Sequence, residues 1–198
     1  MKKLVCFCLA VVLTMVVFAG FGNQSVKADK TVGAIDGNLW MANESQKPFT
    51  NDLSSFSTTD QNGNSVTQDI FKDKDVTMVN IWATWCGPCV GEMGELQKLY
   101  EMLKKMSNVN MITICEDLAE QPELVKKILD ENGCMFITIR PDDSIKNNLF
   151  NEVQYFPTTI FVDKDGKIIG EPIIGVFGDE IAENYMKQIK KILEQIKK

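Results

Sequence analysis

Seven consecutive residues, Val76 to Trp82 (VTMVNIW), form an apolar run of buried-strand length, and the segment Trp85-Cys86-Gly87-Pro88-Cys89 follows almost at once. Beyond it Cys89, Met93, Leu96, Leu99, Tyr100, Leu103 and Met106 recur at three- and four-residue intervals. That spacing predicts a helix from about Cys86 to Met106 with one apolar face, and Gly94 inside it is an expected kink. A buried strand, a tight turn holding two cysteines and a long helix together place Cys86 at a helix start. Few folds satisfy all three demands in so short a stretch.

The rest of the chain alternates strands and helices in the same way. Val109 to Cys115, Met135 to Ile139 and Thr158 to Val162 read as strands, with Lys167 to Gly170 returning after a turn at Asp163-Lys164-Asp165-Gly166. Glu123 to Glu131 reads as a helix, with Pro122 in its first turn and Gly133 beyond its end. Asp142 or Asp143 caps a short helix reaching Phe150, and Asp179 to Lys198 is amphipathic through Ile181, Tyr185, Ile189, Ile192, Leu193 and Ile196. Upstream, Phe56 to Thr59 and Ser65 to Thr67 flank Asn62-Gly63, a hairpin signature. The expected fold class is α/β: a mixed central sheet flanked by helices, antiparallel at its last strands, with an N-terminal β-hairpin.

Lys2 and Lys3 precede an apolar run from Leu4 to about Phe21, and Val26-Lys27-Ala28 supplies a cleavage site after Ala28. Residues 1–28 are therefore expected to be a signal peptide, with an uncleaved anchor as the alternative. Cys6 and Cys8 stand too early to be lipidated. Residues 29–52 read as a flexible linker, and residues 53–198 as one domain. Cleavage would remove three lysines and no acid, taking the net charge from −6 to −9. A nucleic-acid partner is excluded, because attraction to phosphate needs a basic face.

Cysteines two residues apart at the start of a helix point to redox chemistry. Unpaired backbone N–H groups and the helix dipole stabilise a thiolate on Cys86, while Cys89 lies one turn inward. Cys86 is the expected attacking thiol and Cys89 the resolving one. A zinc site needs four ligands, and the chain has no histidine and no second such cysteine pair, so no metal is expected. A purely structural bridge would close too short a loop to stabilise much. Asp163, Asp165 and Gly166 read as a hairpin turn, not a calcium loop.

The segment from Asn80 to Cys89 resembles the active site of thioredoxins, and Tyr155 to Gly166 (YFPTTIFVDKDG) resembles the second signature of that superfamily. Residues 53–198 are similar to the exported TlpA/ResA-like branch, including an extra helix–strand unit near residues 120–139 before the second signature. The resemblance implies a thioredoxin-like fold and a cis Pro157 facing Cys86, with the backbone of Phe156 left to pair with a substrate chain. It also implies no cofactor beyond the redox-active disulfide of Cys86 and Cys89.

Asn80 stands where thioredoxins carry a buried aspartate that moves the proton of the second cysteine. In this branch a glutamate on the active-site helix takes that place, and Glu92 lies three residues after Cys89 on the same face. Glu92 is thus the expected acid/base group, with a solvated helix glutamate as the alternative. Trp85 is expected to cover the thiol and contact substrates, while Trp82 suits the core. Gly87-Pro88 is the thioredoxin pairing, whose potential near about −270 mV favours a reductant. Cys115 and Cys134 are expected at opposite sheet edges, about 15–20 Å apart, as two free thiols.

These readings converge on a monomeric protein-disulfide reductase outside the cytoplasmic membrane. The resemblance implies a membrane electron donor of the CcdA type and protein clients such as apocytochrome c or a methionine sulfoxide reductase. An exported disulfide-forming oxidase is the main alternative; a thiol peroxidase and a non-catalytic binding module are further ones.

Overall fold

Each residue of β3 (Val76–Trp82) is buried, because both faces of this strand are covered. The computed structural model describes residues 49–197, so the expected signal peptide and all but the end of the expected linker lie outside the described residues. Strand β3 is the centre of a five-stranded sheet of order β5-β4-β3-β6-β7. It pairs in parallel with β4 (Val109–Cys115), which pairs in parallel with β5 (Ile137–Ile139). On its other side β3 runs antiparallel to β6 (Thr158–Val162), and β6 antiparallel to β7 (Ile173–Ile174). The sheet is mixed, as the sequence predicts.

Period-two alternation divides the strands between two cores. Met78, Trp82, Met111 and Phe161 face the helices α1 (Gly87–Leu103), α2 (Pro122–Glu131) and α4 (Ile181–Ile196). Val79, Ile81, Ile112, Ile114 and Ile160 face Phe56, Phe71, Ile145 and Leu149 on the opposite side. Ile145 ends a helical turn, α3 (Asp143–Ile145), which continues as a π-helical stretch through Phe150. Asp142 caps it by accepting from Ile145 N at 2.8 Å.

The hairpin of β1 (Ser57–Thr59) and β2 (Ser65–Thr67) closes the β5 edge of the sheet. Gln61 N donates to Thr138 O at 2.8 Å and Arg140 N to Thr59 O at 3.1 Å. An edge that would otherwise offer unpaired groups to another chain is thereby occupied. Phe49 packs into the second core, and Thr50 N donates to Glu152 Oε2 at 2.9 Å, so the end of the expected linker is anchored.

Three elements differ from the sequence reading. Helix α1 stops at Leu103 instead of Met106, because the chain turns at Lys104–Met106 to enter β4; it runs without a break through Gly94. Strand β5 omits Met135, which is exposed and whose N–H goes to Gln97. The expected strand Lys167–Gly170 meets β6 only around Ile168 and Ile169. The positive φ of Gly170 turns the chain away, and β7 becomes the partner of β6.

Gly166 lies directly against the backbone of Leu53, which belongs to the second core. Its φ is +78°, Leu53 N donates to its carbonyl at 2.9 Å, and a Cβ there would lie 2.6 Å from Leu53 O. Gly166→Ala is therefore expected to cost about 3 kcal/mol, combining a left-handed backbone with a main-chain clash. Thermal unfolding followed by circular dichroism should show a fall in Tm of about 6–12 °C; an unchanged Tm would contradict the close approach.

Candidate active site

The chain leaves β3 at Trp82, crosses Ala83, Thr84 and Trp85, and enters α1 with Cys86 as the N-cap residue. Pro88 occupies the first turn, where its missing N–H costs no helical bond. Cys86 Sγ accepts from Cys89 N at 3.3 Å, so the sulfur takes the place a serine or aspartate oxygen fills in an ordinary cap. The two cysteines form a disulfide with their Cα atoms 5.3 Å apart. Cys86 keeps a small exposed surface while Cys89 is fully covered, an asymmetry that follows from one residue lying at the helix start and the other one turn inside.

Around Cys86 is a groove of about 430 Å³ with Trp85, Cys86 and Pro88 on one side and Val153, Tyr155 and Phe156 on the other. Trp85 is 68% exposed and Tyr155 64%. The Trp85 ring meets Phe156 edge-on at 5.5 Å, and Phe156 meets Phe150 at 6.3 Å. No charged side chain lines the groove. The Phe156–Pro157 peptide is cis. Pairing of β6 with β3 ends at Thr158, and no backbone hydrogen bond ties Phe156 to another described residue.

Beneath the disulfide lies a buried polar chain. Asn80 is the one amide in the β3 run; its side chain, on the α1 face, donates from Nδ2 to Glu92 Oε1 and to Thr159 Oγ1, each at 3.0 Å. Thr159 Oγ1 lies 2.8 Å from the Tyr185 hydroxyl. Glu92 is only 1% exposed, and its Oε2 has no partner, nor has Asn80 Oδ1. Burial pushes the Glu92 carboxyl up from 4.5 to about 7, with the Asn80 hydrogen bond pulling the other way. Burial also raises the Tyr185 phenol, and the nearby Glu92 adds to that.

The structure thus gathers Cys86, Trp85 and Phe156 around one groove, keeps Cys89 covered behind Cys86, and sets Glu92 one helical turn beyond Cys89, buried and not solvated. Thr159 and Tyr185 have no place in the sequence reading, where Tyr185 counts only as part of an apolar face. The signals available were Asn80 within an apolar strand and the paired threonines opening β6. Cys115 and Cys134 are free thiols. Burial raises both, Cys134 to about 11, which keeps them protonated and unreactive at neutral pH. Among the described residues no three His, Cys, Asp or Glu side chains converge as metal ligands.

Residues 44–174 match the family described as Redoxin. The chain belongs to the redoxin family. A thiol-disulfide oxidoreductase ResA of Bacillus thuringiensis (strain Al Hakam) is 34% identical over 134 residues, covering 68% of this redoxin and 74% of that relative. Among solved structures, a DsbF homologue from Corynebacterium diphtheriae superposes with a TM-score of 0.58 at 23% identity, over 70% of this chain and 85% of that one. StoA from Bacillus subtilis superposes at 0.53 with 22% identity, over 70% of this chain and 95% of that one. These two share the fold. The redoxin is a thiol–disulfide oxidoreductase of the ResA type, with a thioredoxin-like fold.

Proposed function

We propose that this redoxin is an extracytoplasmic reductase of protein disulfides, acting as a monomer through Cys86 and Cys89. The observation that carries the reading is Cys86 as N-cap of α1, its sulfur accepting the Cys89 amide beside an uncharged, open groove. A thiolate at that position is stabilised by the amide and by the helix dipole.

In the reduced protein the Cys86 thiolate attacks one sulfur of a substrate disulfide. That S–S bond breaks, a substrate thiolate leaves, and Cys86 is joined to the other substrate sulfur. Glu92 takes the proton from Cys89, whose thiolate attacks Cys86 Sγ and expels the second substrate thiolate. Two electrons have passed to the substrate, its two thiolates are protonated, and the protein holds the Cys86–Cys89 disulfide. Trp85, Phe156 and Pro157 border the substrate chain, with the unpaired backbone of Phe156 available to it.

The leader expected at residues 1–28 from Lys2, Lys3 and the apolar run after them, cleaved or kept as an anchor, supports an extracytoplasmic site. Outside the cytoplasmic membrane there is no soluble NADPH-linked supply, so the Cys86–Cys89 disulfide is re-reduced by a membrane donor of the CcdA type. Among the described residues no helix is long and apolar enough to cross a membrane. Apocytochrome c and a methionine sulfoxide reductase are the clients this reading favours. The direction is tested by the reduction potential of the full chain against a dithiothreitol series. A value near about −270 mV is expected from the Gly-Pro pairing, and one above about −150 mV would make the protein an oxidase.

A further inference from the structure

The segment Ala83–Trp85 has no helix or strand of its own, yet it sets where Cys86 stands. Its middle residue is gripped from outside the motif. Thr84 N donates to Asp117 Oδ1 at 3.0 Å, and the Thr84 hydroxyl donates to Asp117 Oδ2. The same carboxylate accepts from Cys115 Sγ at 3.2 Å. Asp117 lies just past the end of β4, where Cys115 is in register with Trp82 and Glu116 N donates to Trp82 O at 2.9 Å. Two parallel strands therefore end together, and the carboxylate of one connection holds the main chain and side chain of the other.

We propose that Asp117 is a positioning residue for the reacting thiol: by holding both polar groups of Thr84, it fixes the Trp85–Cys86 segment at the head of α1. The proposal rests on Cys86 being the attacking thiol. Gripping one residue at its amide and its hydroxyl removes rotation about the Thr84 backbone, which a single bond would leave. Cys86 N donates back to Ala83 O at 3.1 Å, so the orientation of Thr84 passes directly to the cap. Trp85, the next residue, is mostly exposed, and its ring meets Phe156 edge-on across the groove. Ala83 is held by the core on one side, and the amide and hydroxyl of Thr84 are held by Asp117.

The carboxyl is suited to that task at neutral pH. Partial burial pushes it up, but hydrogen bonds from Thr84 and Cys115 outweigh the burial and hold it below the ordinary aspartate range. The clamp is therefore complete above the usual aspartate range and is lost only as pH falls through that lowered value. The third bond ties up the Cys115 thiol, which gives that buried cysteine a structural use separate from the disulfide.

The test uses the full chain, reduced, with a short cystine-bridged peptide as substrate in single-turnover reactions. Asp117→Ala is expected to slow the reaction about 10-fold or more, since small misplacement of a reacting group has large effects. Its Thr84 amide should exchange hydrogen at least about 10-fold faster, while the β3 amides keep their protection. Asp117→Asn retains an acceptor for the Thr84 amide and should restore the rate to within about threefold of wild type. Thr84→Val, which loses only the hydroxyl bond, guards against a misfolded alanine variant; it should fall between the two. Wild-type rate and unchanged Thr84 exchange in Asp117→Ala would overturn the proposal. So would equal loss in the Asn and Ala variants, which would assign the effect to charge. If wild-type protein reacted first through Cys89, the thiol assignment would fail, and the exchange result would still judge the clamp.

Discussion

Cys86→Ser is expected to reduce disulfide exchange to the background set by external thiols, a loss of at least about 10³-fold. Serine keeps the helix cap, since its hydroxyl can accept the Cys89 amide as Cys86 Sγ does. The fold should therefore survive, and the loss is assignable to chemistry. Cys89→Ser should behave differently. Cys86 still attacks, but nothing resolves the product, so a mixed disulfide accumulates in one-to-one ratio with the protein. Intact mass spectrometry would show that adduct, and dithiothreitol would remove it. The asymmetry comes from position: Cys86 borders the groove, while Cys89 has no exposed surface. A stable adduct formed equally fast on Cys89 in Cys86→Ser protein would reverse the assignment.

The parts of the molecule legible in the sequence are those whose spacing is set within one element. The runs Val76–Trp82 and Val109–Cys115 coincide with β3 and β4 residue for residue, because strands covered on both faces need an unbroken apolar stretch. Cys86, Cys89 and Glu92 could be read together because helical spacing alone puts them on one side. What could not be read depends on register between distant strands. Asn80 meets Thr159, 79 residues away, only because β6 runs antiparallel to β3 with those two opposite. Tyr185 joins through the packing of α4, and Asp117 meets Thr84 across 33 residues because β3 and β4 end together. Strand β7 was missed for a related reason. Two residues carry no periodicity, and their pairing follows from turns at Gly166 and Gly170.

Glu92→Gln is expected to change both activity and stability, with opposite signs at neutral pH. In the wild type the resolving step needs the ionised carboxylate, so its rate should rise with pH through about 7, where Glu92 titrates. Glutamine cannot accept the Cys89 proton. The variant should resolve mixed disulfides about 10–100-fold more slowly at pH 7.5, with its rise displaced to the thiol's own range. Stability runs the other way. The folded carboxyl titrates near 7 and the unfolded one near 4.5, so between those values the native state holds the extra proton. Raising the pH through this window therefore removes stability, about 3 kcal/mol once both states are ionised. The chain has no histidine to obscure that window, and in the oxidised protein Cys86 and Cys89 do not titrate. Urea denaturation of oxidised protein at pH 5 and pH 8 should show wild type losing stability while Glu92→Gln stays nearly level. Parallel losses in both proteins would mean that Glu92 is already ionised at pH 5, and that the Cys89 proton goes elsewhere.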